Sequence, residues 1–270
     1  MGAAIRLKDI KKSYYSARDA SEVRALDGIT LEVPDGEFLS IVGPSGCGKS
    51  TLLFIVAGLV PPSEGTVFVG EELVTGPGWQ RGMAFQDFAL FPWLTVAGNV
   101  EFGLKMRGIP REERQRTVRK YLEIVGLRAF ADKYPHELSG GMKQRTAIAR
   151  TLANGPAVLL MDEPFASVDA QTRQLLQDEL LRIWGAGETK RTVLFVTHSV
   201  EEALYLSDRV VVMTARPGRI LEDLAVPFER PRGEHLLKDP WFTDLRLEIW
   251  SHIKREVLQG NAAEMLPEPE

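Results

Sequence analysis

Four short apolar runs stand out along the chain, at residues 38–42, 157–161, 192–196 and 210–213. Each run has the length of a strand and very few polar residues, which is the pattern of a strand covered on both faces. Strands of this kind belong to parallel sheets that lie between layers of helices. The pattern therefore predicts an α/β fold built on a mainly parallel sheet.

Residues 5–33 show a different pattern. Ile5 and Leu7, and further on Ile29, Leu31 and Val33, alternate with polar neighbours. A period of two is typical of strands with one buried face. We expect antiparallel strands that flank the core in this part of the chain.

Helical patterns occupy three further segments. The first covers residues 49–57 and is ended by Gly58, and the second extends over 94–155, with Thr95 as a candidate N-cap. In that second segment Pro110 opens a run with one apolar face. The third covers residues 241–258.

These segments predict a domain organisation. The strands and the first helix belong to one catalytic domain at 1–227, into which a helical subdomain at about 94–155 is inserted. Residues 228–270 form a helical extension that ends in the polar tail 266–270.

Composition narrows the functional classes. Among 270 residues, 44% are hydrophobic and 26% charged, which is typical of a globular protein, and the net charge of −4 gives no overall basic field for nucleic acid. The longest apolar stretch, 52–60, is too short to cross a bilayer. Neither a secretory signal nor a cysteine framework is visible, since Cys47 is the single cysteine, so we expect a cytoplasmic protein.

A phosphate-binding loop is predicted at residues 43–51. The residues Gly43, Pro44, Ser45, Gly46, Cys47, Gly48, Lys49 and Ser50 fit the pattern G-x-x-x-x-G-K-[ST], and Thr51 follows. Glycines let the loop turn its amides toward a triphosphate, the lysine supplies a positive charge, and the serine hydroxyl can bind Mg²⁺. The strand before the loop and the helix after it favour this interpretation over an incidental turn. We also expect a lowered pKa and high reactivity for the Cys47 thiol.

Two carboxylates, Asp162 and Glu163, follow the apolar run 157–161. We interpret Asp162 as the carboxylate that holds the Mg²⁺ shell and Glu163 as the general base for a water that attacks the γ-phosphate. The two could instead cap the next helix. The phosphate loop favours the catalytic interpretation.

A second glycine pair, Gly140 and Gly141, follows Ser139 at the start of a predicted helix. The segment Leu-Ser-Gly-Gly at 138–141 resembles the signature of the ATP-binding cassette (ABC) family, although a Ser-Gly-Gly helix start alone is usually structural. The resemblance implies a P-loop NTPase core of RecA-like type, with an antiparallel β subdomain and an inserted helical subdomain. It also implies ATP hydrolysis with Mg²⁺ and a head-to-tail dimer, in which the signature caps ATP bound to the partner subunit.

The same resemblance assigns four further residues. Gln86 matches the glutamine that binds Mg²⁺ and senses the nucleotide, and His198 matches the histidine that contacts the γ-phosphate. Asp169 matches the aspartate of the loop that links the two sites, although the preceding residues 166–168 depart from the usual Ser-Ala-Leu. Tyr14 matches the aromatic residue that stacks on adenine, with Tyr15 as a competitor.

A transport role would need membrane partners, because the chain has no predicted span. We expect two permease subunits that contact a surface around 86–96, where Phe88, Phe91 and Trp93 could instead belong to the core. The segment 90–96 resembles importer ATPases for nitrate, sulfonate, taurine and bicarbonate, which implies an external binding protein and a peripheral position at the cytoplasmic face of the membrane. The alternative is an ABC ATPase outside transport, acting on nucleic acid, ribosomes or cofactor assembly; fused cassettes and long coiled coils, frequent in such proteins, are not visible.

Overall fold

The computed structural model describes residues 3–16, 21–166, 168–185, 190–233 and 235–264. The chain forms two compact units, one of residues 79–191 and one that joins residues 3–78 to the chain from residue 192 onward. The predicted polar tail 266–270 and Ser167 lie outside the described residues. Strands and helices are numbered in chain order.

The second unit contains most of the strands. Its elements are β1 (Ile5–Ser16), β2 (Ser21–Val33), β3 (Phe38–Val42), α1 (Lys49–Ala57), β4 (Glu64–Val69), β5 (Glu72–Leu73), β8 (Thr192–Val196), α6 (Val200–Leu206), β9 (Arg209–Met213), β10 (Ile220–Ala225) and α7 (Pro240–Glu264).

Two sheet regions organise this unit. β2, β1, β4 and β5 form an antiparallel sheet in that order, as the period-two pattern predicts. β3 pairs in parallel with both β8 and β9, and β10 closes this region antiparallel to β9. Every residue of β3 and β8 is buried, because these strands are covered on both faces.

The other unit carries the helical subdomain. Its elements are β6 (Arg81–Ala84), α2 (Val96–Met106), α3 (Arg111–Ile124), α4 (Gly140–Ala153), β7 (Val158–Asp162) and α5 (Ala170–Gly185). β6 and β7 are parallel, and α2, α3 and α4 pack on one another. Thr95 caps α2 by accepting a hydrogen bond from the Gly98 amide, as predicted.

The α/β class, the mainly parallel strands, the antiparallel part and the helical subdomain are confirmed. Three elements have bounds that differ from the prediction. β7 covers residues 158–162 instead of 157–161, β9 begins at residue 209 instead of 210, and α7 covers residues 240–264 instead of 241–258. No helix in the described part of the chain combines the length and the apolar character that a bilayer span requires.

Candidate nucleotide site

The loop between β3 and α1 has the backbone of a phosphate cradle. Gly46 and Gly48 have φ values of 72° and 101°, in the left-handed region that glycine adopts without strain. A Cβ on Gly48 would lie 2.7 Å from the Leu26 side chain and 2.9 Å from the Ala25 carbonyl oxygen. Only glycine therefore fits at position 48.

Lys49 is already positioned inside this loop. Its side chain is buried, and its ammonium Nζ donates to the carbonyl oxygens of Gly43 at 2.8 Å and Pro44 at 2.7 Å. Gly48 precedes α1 and offers no side-chain cap, and the first turn of α1 holds no acidic residue. The positive end of α1 is thus left for an anion, next to a fixed ammonium group.

The prediction for Cys47 is wrong. Its side chain is buried at 1% exposure, and this burial raises the pKa of the thiol above its ordinary value of 9.0. Neighbouring Lys49 acts in the opposite direction, but its effect is the smaller one. A thiol enclosed in this way is held in the neutral form, because desolvation disfavours the thiolate.

An arginine that the sequence analysis did not single out lies against the same loop. Nε and Nη2 of Arg216 both donate to the Gly46 carbonyl oxygen at 3.3 Å. The segment that carries Arg216 packs tightly on the loop, since a Cβ on Gly218 would lie 2.1 Å from the Cys47 carbonyl oxygen. No local sequence signal marks Arg216, because its partner is 170 residues away.

Three further residues named by the sequence analysis belong to this unit. Tyr14 and Tyr15 lie on β1, and both rings are exposed, at 43% and 69%, so neither is a core residue. Lys12 lies 5.1 Å from the Tyr14 ring. His198 is exposed and follows β8 after the buried Thr197, whose amide donates to the Ile41 carbonyl oxygen.

The other unit holds the predicted carboxylates. Asp162 is buried at 5% exposure and is the last residue of β7. Glu163 follows with φ of 44°, a left-handed conformation that is uncommon for a residue with a Cβ. Strained backbone of this kind is concentrated at functional sites, where it fixes the direction of a side chain.

The signature segment forms a helix start. The Ser139 hydroxyl accepts a hydrogen bond from the Met142 amide at 3.3 Å, and Gly140 and Gly141 are the first residues of α4. The first turn of α4 contains no acidic residue. Ser139 is therefore a helix cap, and this role is compatible with an anion at the helix end.

Asp169 caps the next helix. Its Oδ1 accepts a hydrogen bond from the Thr172 amide at 3.0 Å, and this bond lowers the pKa of the carboxyl group. The side chain is exposed. Asp169 is thus held in one orientation while remaining accessible.

Gln86 is exposed and precedes a segment with unusual backbone geometry. Phe88 and Ala89 have φ values of 59° and 47°. The guanidinium group of Arg150, on α4, donates to the carbonyl oxygens of both residues, at 2.9 Å and 2.6 Å. Arg150 therefore holds a strained turn next to Gln86, which the sequence analysis did not predict.

An aromatic cluster follows this turn. The Phe91 ring lies 5.6 Å from the Trp93 ring and 4.4 Å from the Phe102 ring on α2, measured between centroids. Trp93 is 70% exposed, so it belongs to the surface and not to the core. The cluster offers an apolar surface next to the segment that Arg150 holds, and the Arg150 guanidinium lies 5.7 Å from the Phe91 ring centroid.

The donor groups suit Mg²⁺ that is bound together with a phosphate ligand. Ser50, Gln86 and Asp162 offer oxygen ligands, which Mg²⁺ prefers. Among the described residues no group of three His, Cys, Asp or Glu side chains could hold a metal. Mg²⁺ in nucleotide sites usually completes its coordination with water and phosphate oxygens.

The predicted residues fall into two sets. The phosphate loop, Tyr14 and His198 belong to one unit, and Gln86, the signature, the two carboxylates and Asp169 belong to the other.

Comparisons with known proteins identify a family for this chain. The model of the family described as ABC transporter matches residues 26–166. The chain is 49% identical over 249 residues to the taurine import ATP-binding protein of Roseobacter denitrificans, covering 90% of this chain and 92% of the relative. It is 48% identical over 256 residues to the nitrate import ATP-binding protein of Synechocystis sp., covering 93% and 95%.

A solved structure is also similar. It is described as a dimeric, post-hydrolysis state of an ATP-binding cassette bound to ADP and Pi. The TM-score is 0.73 with 32% sequence identity, and the match covers 83% of this chain and all of that one.

Proposed function

The chain belongs to the ABC transporter family, and from this premise we propose that it is the ATP-hydrolysing subunit of an importer for a small anion such as nitrate, sulfonate, taurine or bicarbonate. The observation that carries the ATPase part is the buried Lys49 ammonium group, held in a glycine-built loop at the uncapped start of α1. The importer part is supported by the relatives named for taurine and nitrate import.

Each residue of the cradle has a proposed role in ATP binding. Lys49 leaves its loop carbonyls to bind the β- and γ-phosphate oxygens, and the amides at the start of α1 bind the remaining phosphate charge. The other backbone amides of the loop would also face the phosphates. They belong to Gly43, to residues 45–48, and to Ser50 and Thr51, and Pro44 lies among them without an amide hydrogen. Tyr14 stacks on adenine, since its ring is exposed on β1.

Hydrolysis is assigned to two residues. Glu163 is the general base for the attacking water, and its left-handed backbone fixes the direction of the carboxylate. His198 contacts the γ-phosphate and orients that water. Ser50, Gln86 and Asp162 would hold Mg²⁺, which neutralises phosphate charge when bound.

We propose that the active form is a dimer, and that ATP binds between its two subunits. The exposed start of α4, with Ser139, Gly140 and Gly141, would bind the γ-phosphate of ATP held by the partner subunit. Asp169, exposed and fixed by its cap bond, would link the two sites. The similar structure described as dimeric supports this assembly.

The proposed membrane contact is the permease surface, defined as Gln86, Phe91, Trp93 and Phe102. The exposed Trp93 ring and the half-buried Phe91 and Phe102 rings beside it suit a short helix of a permease subunit. Two permease subunits and an external binding protein would complete the importer, with this chain as a peripheral subunit at the cytoplasmic face of the membrane.

The test is co-purification of the tagged chain with membrane proteins encoded beside it or expressed with it. We expect wild type to retain a permease, and F91A/W93A to lose at least about 90% of it while remaining folded. The matched control is Trp250→Ala on α7, which removes another exposed tryptophan. Equal permease recovery with F91A/W93A would overturn the contact, and recovery of ribosomes or nucleic acid instead of a permease would favour the non-transport alternative.

A further inference from the structure

The C-terminal extension is tied to α6 by two arginines, which we name the arginine clamp (Arg230 and Arg232). Arg232 is buried at 8% exposure, and its Nη1 donates to the carbonyl oxygens of Leu204, Tyr205 and Ser207 at 3.0, 3.1 and 2.6 Å. Its other nitrogens donate to the Phe228 carbonyl oxygen. One guanidinium group thus joins the extension to the end of α6.

Hydrogen bonds run both from the extension to α6 and from α6 to the extension. The Tyr205 hydroxyl donates to the Arg232 carbonyl oxygen at 3.2 Å, and Arg230 donates to the Leu206 carbonyl oxygen and to the Asp208 carboxylate. Carbonyl groups at a helix end carry partial negative charge and favour a cation. The clamp therefore satisfies carbonyl groups at the C-terminal end of α6 with donors from the extension.

The other end of α6 leads directly to His198. Ser199 caps the helix by accepting a hydrogen bond from the Glu202 amide, and the Thr197 hydroxyl donates to the Glu202 carboxylate at 2.6 Å. Of the seven residues of α6, only Glu201 is exposed. A short buried helix moves as one body, so a shift at its clamped end displaces the residue before its cap.

The helix α7 reinforces this arrangement. It packs on α6 and on β9, and the Glu256 carboxylate accepts a hydrogen bond from the Ala215 amide at 2.9 Å. Ala215 precedes Arg216, whose guanidinium lies on the Gly46 carbonyl oxygen. The extension thus contacts the segments next to two parts of the nucleotide site, beyond the residues 26–166 that the family model matches.

From these contacts we infer that Arg232 is a positioning residue, which acts through α6 to place His198 for ATP hydrolysis. The inference rests on the role proposed for His198. It assigns the extension a part in catalysis, without any contact between the clamp and the nucleotide. Burial lowers the pKa of Arg232 to about 10, so the guanidinium group remains charged at neutral pH.

The experiment is a double-mutant cycle with the full chain. R232K keeps the charge but loses the fork geometry that reaches several carbonyls. We expect R232K to lower kcat about tenfold while ATP affinity stays within about twofold, because misplacement affects the reaction and not the cradle. In the His198→Ala background R232K should change kcat by less than about 1.5-fold. The matched control is Arg219→Lys, an exposed arginine paired with Asp27.

A second measurement tests the positioning of His198 even if R232K fails to fold or if His198 has no role in catalysis. Tyr205→Phe removes one hydroxyl of the clamp and keeps the packing, and the imidazole NMR signal of His198, assigned with His198→Gln, should shift while that of His136 does not. An equal fall in kcat from R232K in both backgrounds, or an unmoved His198 signal in Tyr205→Phe, would overturn the inference. If His198→Ala alone leaves kcat unchanged, the proposed role of His198 fails and the NMR signal decides on positioning.

Discussion

The buried side chain of Asn99 forms hydrogen bonds with both backbone polar groups of Phe91. Its Oδ1 accepts from the Phe91 amide at 2.8 Å, and its Nδ2 lies 3.2 Å from the Phe91 carbonyl oxygen. The same Nδ2 is also within reach of the carbonyl oxygens of Leu94 and Thr95. A single amide on α2 thus fixes residues 91–95, the segment that contains Phe91 and the exposed Trp93.

Asn99→Leu should lower the free energy of unfolding by about 2–3 kcal/mol, because it leaves several backbone groups of a buried turn unpaired. Urea denaturation measures this change. Asn154→Ala is the matched control, since that side chain donates to the Arg150 carbonyl oxygen at 3.0 Å and its loss should cost about 1 kcal/mol. Similar destabilisation by both variants would contradict the role given to Asn99.

Glu163→Gln tests the general base. We expect the variant to bind MgATP with wild-type affinity and to hydrolyse it about 10²–10⁴ times more slowly, since the amide cannot accept the proton from water. With hydrolysis blocked, ATP should hold two chains together, and light scattering would detect the dimer. Asp178→Asn, an exposed carboxylate on α5, is the control. A native rate of hydrolysis, or a monomer at high concentration with ATP bound, would count against the assignment.

The left-handed backbone of Glu163 predicts that two inactive variants at this position differ in stability. With φ of 44°, glycine suits this position better than any residue with a Cβ. Glu163→Gly and Glu163→Ala both remove the carboxylate and should be equally inactive. The glycine variant should nevertheless be more stable than the alanine variant by about 1 kcal/mol, as thermal unfolding would show. An alanine variant as stable as the glycine variant would mean that the position carries no strain.

Local patterns were sufficient for much of the fold. Complete burial makes a strand apolar throughout, so β3 and β8 could be recognised with their observed bounds. The phosphate loop could also be predicted from the sequence, because its glycines are required by the backbone angles of the loop itself. Tyr14 and Tyr15 are both exposed, so either ring is free of the core, and stacking of Tyr14 on adenine stays a prediction.

The remaining features depend on contacts between distant parts of the chain. Arg150 holds a turn 61 residues away, and Arg216 reaches Gly46 across 170 residues. Nothing in the neighbouring sequence marks either arginine as the partner of a distant segment. The wrong expectation for Cys47 has the same origin, because its pKa depends on burial that other segments create.

Cys47 gives a prediction with a defined pH dependence. Because burial raises the pKa of its thiol, the thiolate fraction at pH 7 is smaller than in a free thiol. Alkylation by N-ethylmaleimide at pH 7 should therefore be slower than that of glutathione, and its rate should rise about tenfold per pH unit toward pH 9.

The same pKa shift affects stability. The folded chain favours the neutral thiol, so this contribution is fully present below the ordinary pKa of 9.0 and is lost as pH rises from there through the raised pKa of the folded chain. Between pH 8 and pH 10 the melting temperature of wild type should fall more than that of Cys47→Ser. MgATP should slow alkylation further, because phosphates would cover the loop. Labelling faster than glutathione at pH 7, or a rate unaffected by MgATP, would contradict a buried thiol in a nucleotide-binding loop.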